Sequence, residues 1–143
     1  MRFRRFEDRY QLRFDSGEGL ADKLLRWLAR HRIGYATLTG LGAVSRATVA
    51  YWNAETRQYE HHVLDEQLEV VSLIGNVTIK DGAPFTHIHV TLGGPDLSIR
   101  GGHFIDATVH PNLEIWIRPE SAGLERTLDE GSGLYLMDLP EHG

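Results

Sequence analysis

Arg9-Tyr10-Gln11-Leu12-Arg13-Phe14 alternates polar and apolar side chains. That period predicts a strand with Tyr10, Leu12 and Phe14 turned inward. Asp15-Ser16-Gly17-Glu18 follows with capping-box spacing, Asp15 as N-cap and Glu18 three residues on. A helix is expected over about 16–31, because Leu20, Leu24, Leu25 and Leu28 share one stripe and Trp27 lies beside it. Arg26, Arg30, His31 and Arg32 gather at its C-terminal end, where the helix dipole favours cations, so His31 reads as a solvated helix-end residue.

Beyond the helix the pattern is that of strands. Ile33 to Thr39 predicts a buried strand, Gly40-Leu41-Gly42 a bend, and Ala43 to Trp52 another strand. A dinucleotide fingerprint would need a third glycine and a following helix, and neither is present. A hairpin turn is expected near Asn53 to Thr56. His61 and His62 are adjacent, so on a strand their rings face opposite ways and do not share one ion. Leu64 to Ile79 is rich in aliphatic residues, with Gly75 as a bulge or bend. Lys80 to Pro84 is a turn, Leu113 to Ile117 a last strong strand, and Leu134 to Leu139 a short closing segment after the polar stretch Ser121 to Gly133.

The candidate chemistry sits in Thr86 to His103, which reads as two strands folded back on each other. His87 and His89 are two residues apart and project from the same face. Gly93-Gly94-Pro95-Asp96 has the residues of a turn. With a loop of Gly94 to Asp96, Gly93 pairs with Leu97, His87 falls opposite His103 and His89 falls opposite Gly101. A one-residue change in the loop would break that alignment. Three imidazoles beside glycines suit a metal or an anion. The chain has no cysteine, so a metal must use His, Asp or Glu. A three-His set leaves a fourth position for water or another ligand. Asp106, His110 and Glu114 are the proton-transfer candidates nearest along the chain.

Length and charge narrow the function classes. At 143 residues the chain reads as one domain, 1–143, with room for a real core. Twenty acidic against 15 basic side chains give a formal net charge of −5, which runs against wrapping nucleic acid. The arginines Arg2, Arg4, Arg5, Arg9 and Arg13 read as a solvated edge or arm. No apolar run approaches the roughly 20 residues of a membrane span. The first residues carry no secretory h-region, so the cytoplasm is the expected compartment.

The order of these motifs resembles the PPC domain, the plant and prokaryote conserved domain. The resemblance rests on the capped helix, Gly40-Leu41-Gly42-Ala43-Val44-Ser45, Leu68-Glu69-Val70-Val71-Ser72-Leu73-Ile74-Gly75-Asn76, Thr86-His87-Ile88-His89-Val90 and Gly101-Gly102-His103. It runs from about Arg9 to Leu139. It implies an α+β fold, a mainly antiparallel sheet of about seven or eight strands with one packed helix, assembled as a homotrimer. It also implies a site for a divalent metal, zinc above others, at His87, His89 and His103. The chain is similar to stand-alone prokaryotic members, because it lacks the Arg-Gly-Arg-Pro AT-hook through which plant members bind DNA, and direct DNA binding is not expected. Two other readings stay open: a non-catalytic scaffold or DNA-associated regulatory protein without metal, and a metal-dependent enzyme of unknown substrate.

Overall fold

The computed structural model describes residues 1–140. It contains nine strands and one helix: β1 (Arg2–Arg5), β2 (Tyr10–Asp15), α1 (Leu20–Arg30), β3 (Ala36–Asn53), β4 (Gln58–Leu64), β5 (Leu68–Lys80), β6 (Ala83–Gly93), β7 (Ile99–Pro119), β8 (Arg126–Asp129) and β9 (Leu134–Met137). Seven strands form one sheet in the order β1-β2-β7-β6-β5-β3-β4, and β8 and β9 form a separate hairpin. Every pairing between these strands is antiparallel. The expected α+β class, a mainly antiparallel sheet with one packed helix, is the observed one.

β7 pairs along its edges with β2, β6 and β3, and β3 pairs also with β5. Since β5 pairs with β6, the path β3-β5-β6-β7 returns to β3 and closes the sheet on itself. Inward residues such as Leu38, Leu73, Ile88, Leu92, Val109 and Ile115 fill the core. Leu20, Leu24, Trp27 and Leu28 of α1 are buried as well, so the helical stripe docks where its spacing predicts.

Three local expectations are corrected. The helix begins at Leu20 with Gly19 as N-cap and no side-chain cap, so Asp15 is not the N-cap. Glu18 Oε2 instead accepts the Asp15 N–H at 2.9 Å, and that pair makes the turn leading into the helix. The free helix end is served from across the fold, where Asp106 Oδ1 accepts the Ala21 N–H at 3.1 Å. The segments either side of Gly40-Leu41-Gly42 are one strand, not two. The glycines mark a bulge where β3 crosses close to β7: Gly42 has φ +146°, and a Cβ there would stand 2.6 Å from Leu113 Cα. Gly75 lies in continuous register with Leu38 and Ile88, and the irregularity in β5 falls between Val70 and Ser72. β1 is exposed along its whole length at the sheet edge, which is where the arginine-rich arm was expected. His31 closes α1, half-buried, its ring stacked on Trp27 at 4.1 Å.

Candidate metal centre

On β6 the alternation sends Ile88, Val90 and Leu92 into the core and His87 and His89 to the outer face. β7 returns with His103 paired to His89, not to His87, and Thr91, not His89, faces Gly101. The loop is longer than expected. Gly93 pairs with Ile99, and Gly94 to Ser98 form the turn, with Gly94 N–H donating to Ser98 O at 2.9 Å and Leu97 N–H to Gly94 O at 2.9 Å. Two extra residues slide the register by two, and a slip of two preserves which face each side chain occupies. His103 therefore still stands on the outer face beside the other two.

The three rings form a near-equilateral set, with centroids 5.2 Å (His87–His89), 5.3 Å (His87–His103) and 5.5 Å (His89–His103) apart. One nitrogen from each lies within 4.8 Å of the others. His103 Nδ1 is buried and has no hydrogen-bond partner. A buried nitrogen lone pair or N–H without a partner carries a desolvation cost that a bound ligand relieves. Burial pushes the His103 imidazole down to about 4, with His87, His89 and His61 adding to the effect. Burial, then the Arg126 guanidinium and His89, hold His87 below its usual value. Both rings are thus neutral at pH 7, the form that ligates metal. Three imidazoles within reach of one another, one carrying an unpartnered buried nitrogen, fit a divalent transition metal held by His87, His89 and His103.

A cavity of about 670 Å³ adjoins the triad, lined by His87, His103 and by residues of β4 and of the β8–β9 hairpin. Tyr59 stacks on His103 with centroids 4.7 Å apart. Arg126, 9% exposed, donates from Nε to Thr78 Oγ1 at 2.9 Å, from Nη1 to Tyr135 O at 2.8 Å and from Nη2 to Asn76 Oδ1 at 3.0 Å. Its Nη2 also lies 3.4 Å from His87 Nδ1. The strand geometry therefore ties β8 and β9 to the histidine face through one guanidinium.

None of the three proton-transfer candidates lines the cavity. Asp106 caps the helix, the His110 ring pairs with Ser16 Oγ at 2.8 Å, and Glu114 sits opposite Arg13 and Leu41 far down β7. His61 comes nearer than adjacency to His62 suggested: Ala50 pairs with His61 on one side and with His103 on the other, so the two rings share a row across one small residue. Arg126 and Tyr59 carry no signal in the linear sequence, since each reaches the site only through strand pairing. Trp52 opposite Tyr59 was the one available hint, an aromatic pair astride a hairpin.

The description of the Plants and Prokaryotes Conserved (PCC) domain matches residues 1–120. The chain belongs to this family. Solved structures share the fold. A metal-containing protein from Archaeoglobus fulgidus is 36% identical, with a TM-score of 0.86 over 97% of this chain and 100% of its own. A plant- and prokaryote-conserved protein from Pyrococcus horikoshii is 28% identical, with a TM-score of 0.86 over 98% of this chain and 95% of its own. A candidate DNA-binding protein from Bacteroides thetaiotaomicron is 23% identical and reaches a TM-score of 0.93 over 96% of each chain, a likeness of fold alone. No curated protein matches the sequence. Among the described residues no helix is long and apolar enough to cross a membrane.

Proposed function

We propose that this PCC-domain protein is a cytoplasmic homotrimer that binds one divalent metal, zinc, per chain through His87, His89 and His103. The observation that carries the reading is the meeting of three imidazoles within 4.8 Å, one of them with a buried, unpartnered nitrogen. The 36% identical relative from Archaeoglobus fulgidus, described as metal-containing, supports it. When bound, the metal supplies a Lewis-acidic centre with a fourth position open to water or another ligand. The chain's own residues hold the site: the β6 alternation orients His87 and His89, Tyr59 packs His103, and Arg126 borders His87. Among the described residues no carboxylate joins the triad as a proton-transfer group, which favours binding over catalysis.

Assembly finds support in the apolar side chains around the site. Ile74 pairs with His89 and is 59% exposed, and Val71 (57%) and Ile99 (61%) flank Gly93 on the same stretch of sheet. An exposed aliphatic patch of this kind suits a surface buried between copies. Two measurements test the reading together. Zinc at about 100 times its Kd should stabilise the fold by about 2.7 kcal/mol, raising Tm by about 5–11 °C. Light scattering should return the mass of three 16.2 kDa chains. A Tm indifferent to zinc removes the metal, and a monomer mass removes the trimer.

A further inference from the structure

Arg126 is a buried cation whose partners are all neutral: a hydroxyl, a backbone carbonyl, an amide oxygen and an imidazole. Buried charges are ordinarily paired, and no carboxylate lies within 4.0 Å of this one among the described residues. The cavity it borders repeats the imbalance. Lys80 and Arg57 also line it, whereas among the described residues no Asp or Glu does. Lys80 Nζ rests 3.5 Å from the Tyr135 ring centroid and has no carboxylate within 4.0 Å among the described residues, whereas Arg57 donates to the carbonyls of Glu130 and Gly131 and lies in the field of Asp129, so Lys80 is the unneutralised cation of the two.

The rest of the wall is apolar. Trp52, Tyr59, Phe85 and Tyr135 face the same space, and their rings leave one charged end and one greasy body for an occupant. We propose that this cavity is a binding site for a small organic monoanion, a carboxylate on an apolar body, with Arg126 and Lys80 as its cationic contacts. Arg126 uses four of its five N–H groups on Thr78, Tyr135, Asn76 and His87, which leaves one on Nη1, so the second oxygen of a carboxylate falls to the Lys80 ammonium and a dianion is left under-satisfied. Nothing here resembles the glycine-rich backbone nest that phosphates use. The inference deepens the metal reading and rests on it for one feature: a dication among His87, His89 and His103 would add positive charge beside Arg126, and an anion spanning the two offsets both.

The test is calorimetric titration of zinc-supplied protein with 2-naphthoate and with its neutral isostere 2-naphthamide, with metal analysis of the same samples. The acid should bind about tenfold or more tighter than the amide, as a charge-assisted contact requires. Lys80→Met should weaken the acid by about fivefold or more while leaving the amide and the zinc content unchanged. Arg126→Met removes the tie between β5 and the β8–β9 hairpin and can fail to fold, so Lys80→Met carries the test. Equal affinity for acid and amide, no binding of the acid below about 5 mM, or a Lys80→Met variant that binds like the parent would overturn the proposal. Zinc uptake without preference for the acid removes the anion site and leaves the metal reading standing. Preference for the acid in protein that takes up no zinc does the reverse.

Discussion

Gly75→Ala should damage the fold and the histidine site together, although residue 75 carries no functional group. Gly75 lies in β5 opposite Ile88 of β6, and a Cβ there would overlap the His87 carbonyl oxygen and stand 2.9 Å from both Ile88 Cα and Ile88 Cγ1. Ordinary van der Waals contact begins at 3.4 Å, so β6 must retreat by 0.5 Å (3.4 − 2.9) from Ile88 alone, and further to clear the carbonyl. Two of the three obstructing atoms are backbone and cannot rotate away. Overpacking of this kind costs about 1–3 kcal/mol, and weakening one or two ladder hydrogen bonds adds about 1 kcal/mol each. A net loss of about 3 kcal/mol lowers Tm by about 6–12 °C in a domain of this size. Because the displaced carbonyl belongs to His87, zinc affinity should fall as well. The assay is thermal unfolding by circular dichroism beside Gly123→Ala, where a Cβ meets nothing within 4 Å and the melt should stay near the parent's. If Gly75→Ala melts within about 2 °C of the parent, β5 and β6 are not packed as described.

Two further outcomes follow from single contacts. Asp106→Ala removes the oxygen that accepts the Ala21 N–H and should cost about 1 kcal/mol in thermal unfolding, with zinc content unchanged; loss of metal instead would place Asp106 at the site. His103 sits at about 4 in the folded protein, lowered chiefly by burial, against about 6.5 unfolded. A folded value below the unfolded one leaves the metal-free fold at full strength above pH 6.5 and weakens it progressively down to about pH 4. His103→Gln should flatten that part of the acid limb in denaturant titrations, and an unchanged slope contradicts the burial of the ring.

The periodicity of the chain exposed more of the site than its register did. Alternation alone put His87 and His89 on one outer face, and the return of β7 added His103. The expected three-residue loop was wrong by two, yet the triad survived, because only an odd slip turns a strand over. Long strands were harder to see. β3 was read as two strands because Gly40 and Gly42 punctuate it, and β7 as the return strand of the histidine hairpin and a separate strand Leu113 to Ile117, but the glycines serve a crossing and β7 is continuous. Gly42 pairs with Leu113 while Val44 pairs with Val109, so His110 to Asn112 bulge out where a proline, which has no N–H to donate, does no harm. The contacts that surround the site were not legible at all. Arg126 meets Asn76 and Thr78 across about 50 residues of chain, and Asp106 reaches α1 across 85, distances over which no local pattern carries information.

The central claim is that His87, His89 and His103 hold a metal. Elemental analysis of protein purified without an affinity tag, beside a His87→Ala/His103→Ala double variant of confirmed fold, measures it directly. The parent should carry about one zinc per chain and the double variant less than about a tenth of that. A parent that holds no metal, even after zinc is supplied and excess dialysed away, would contradict the account.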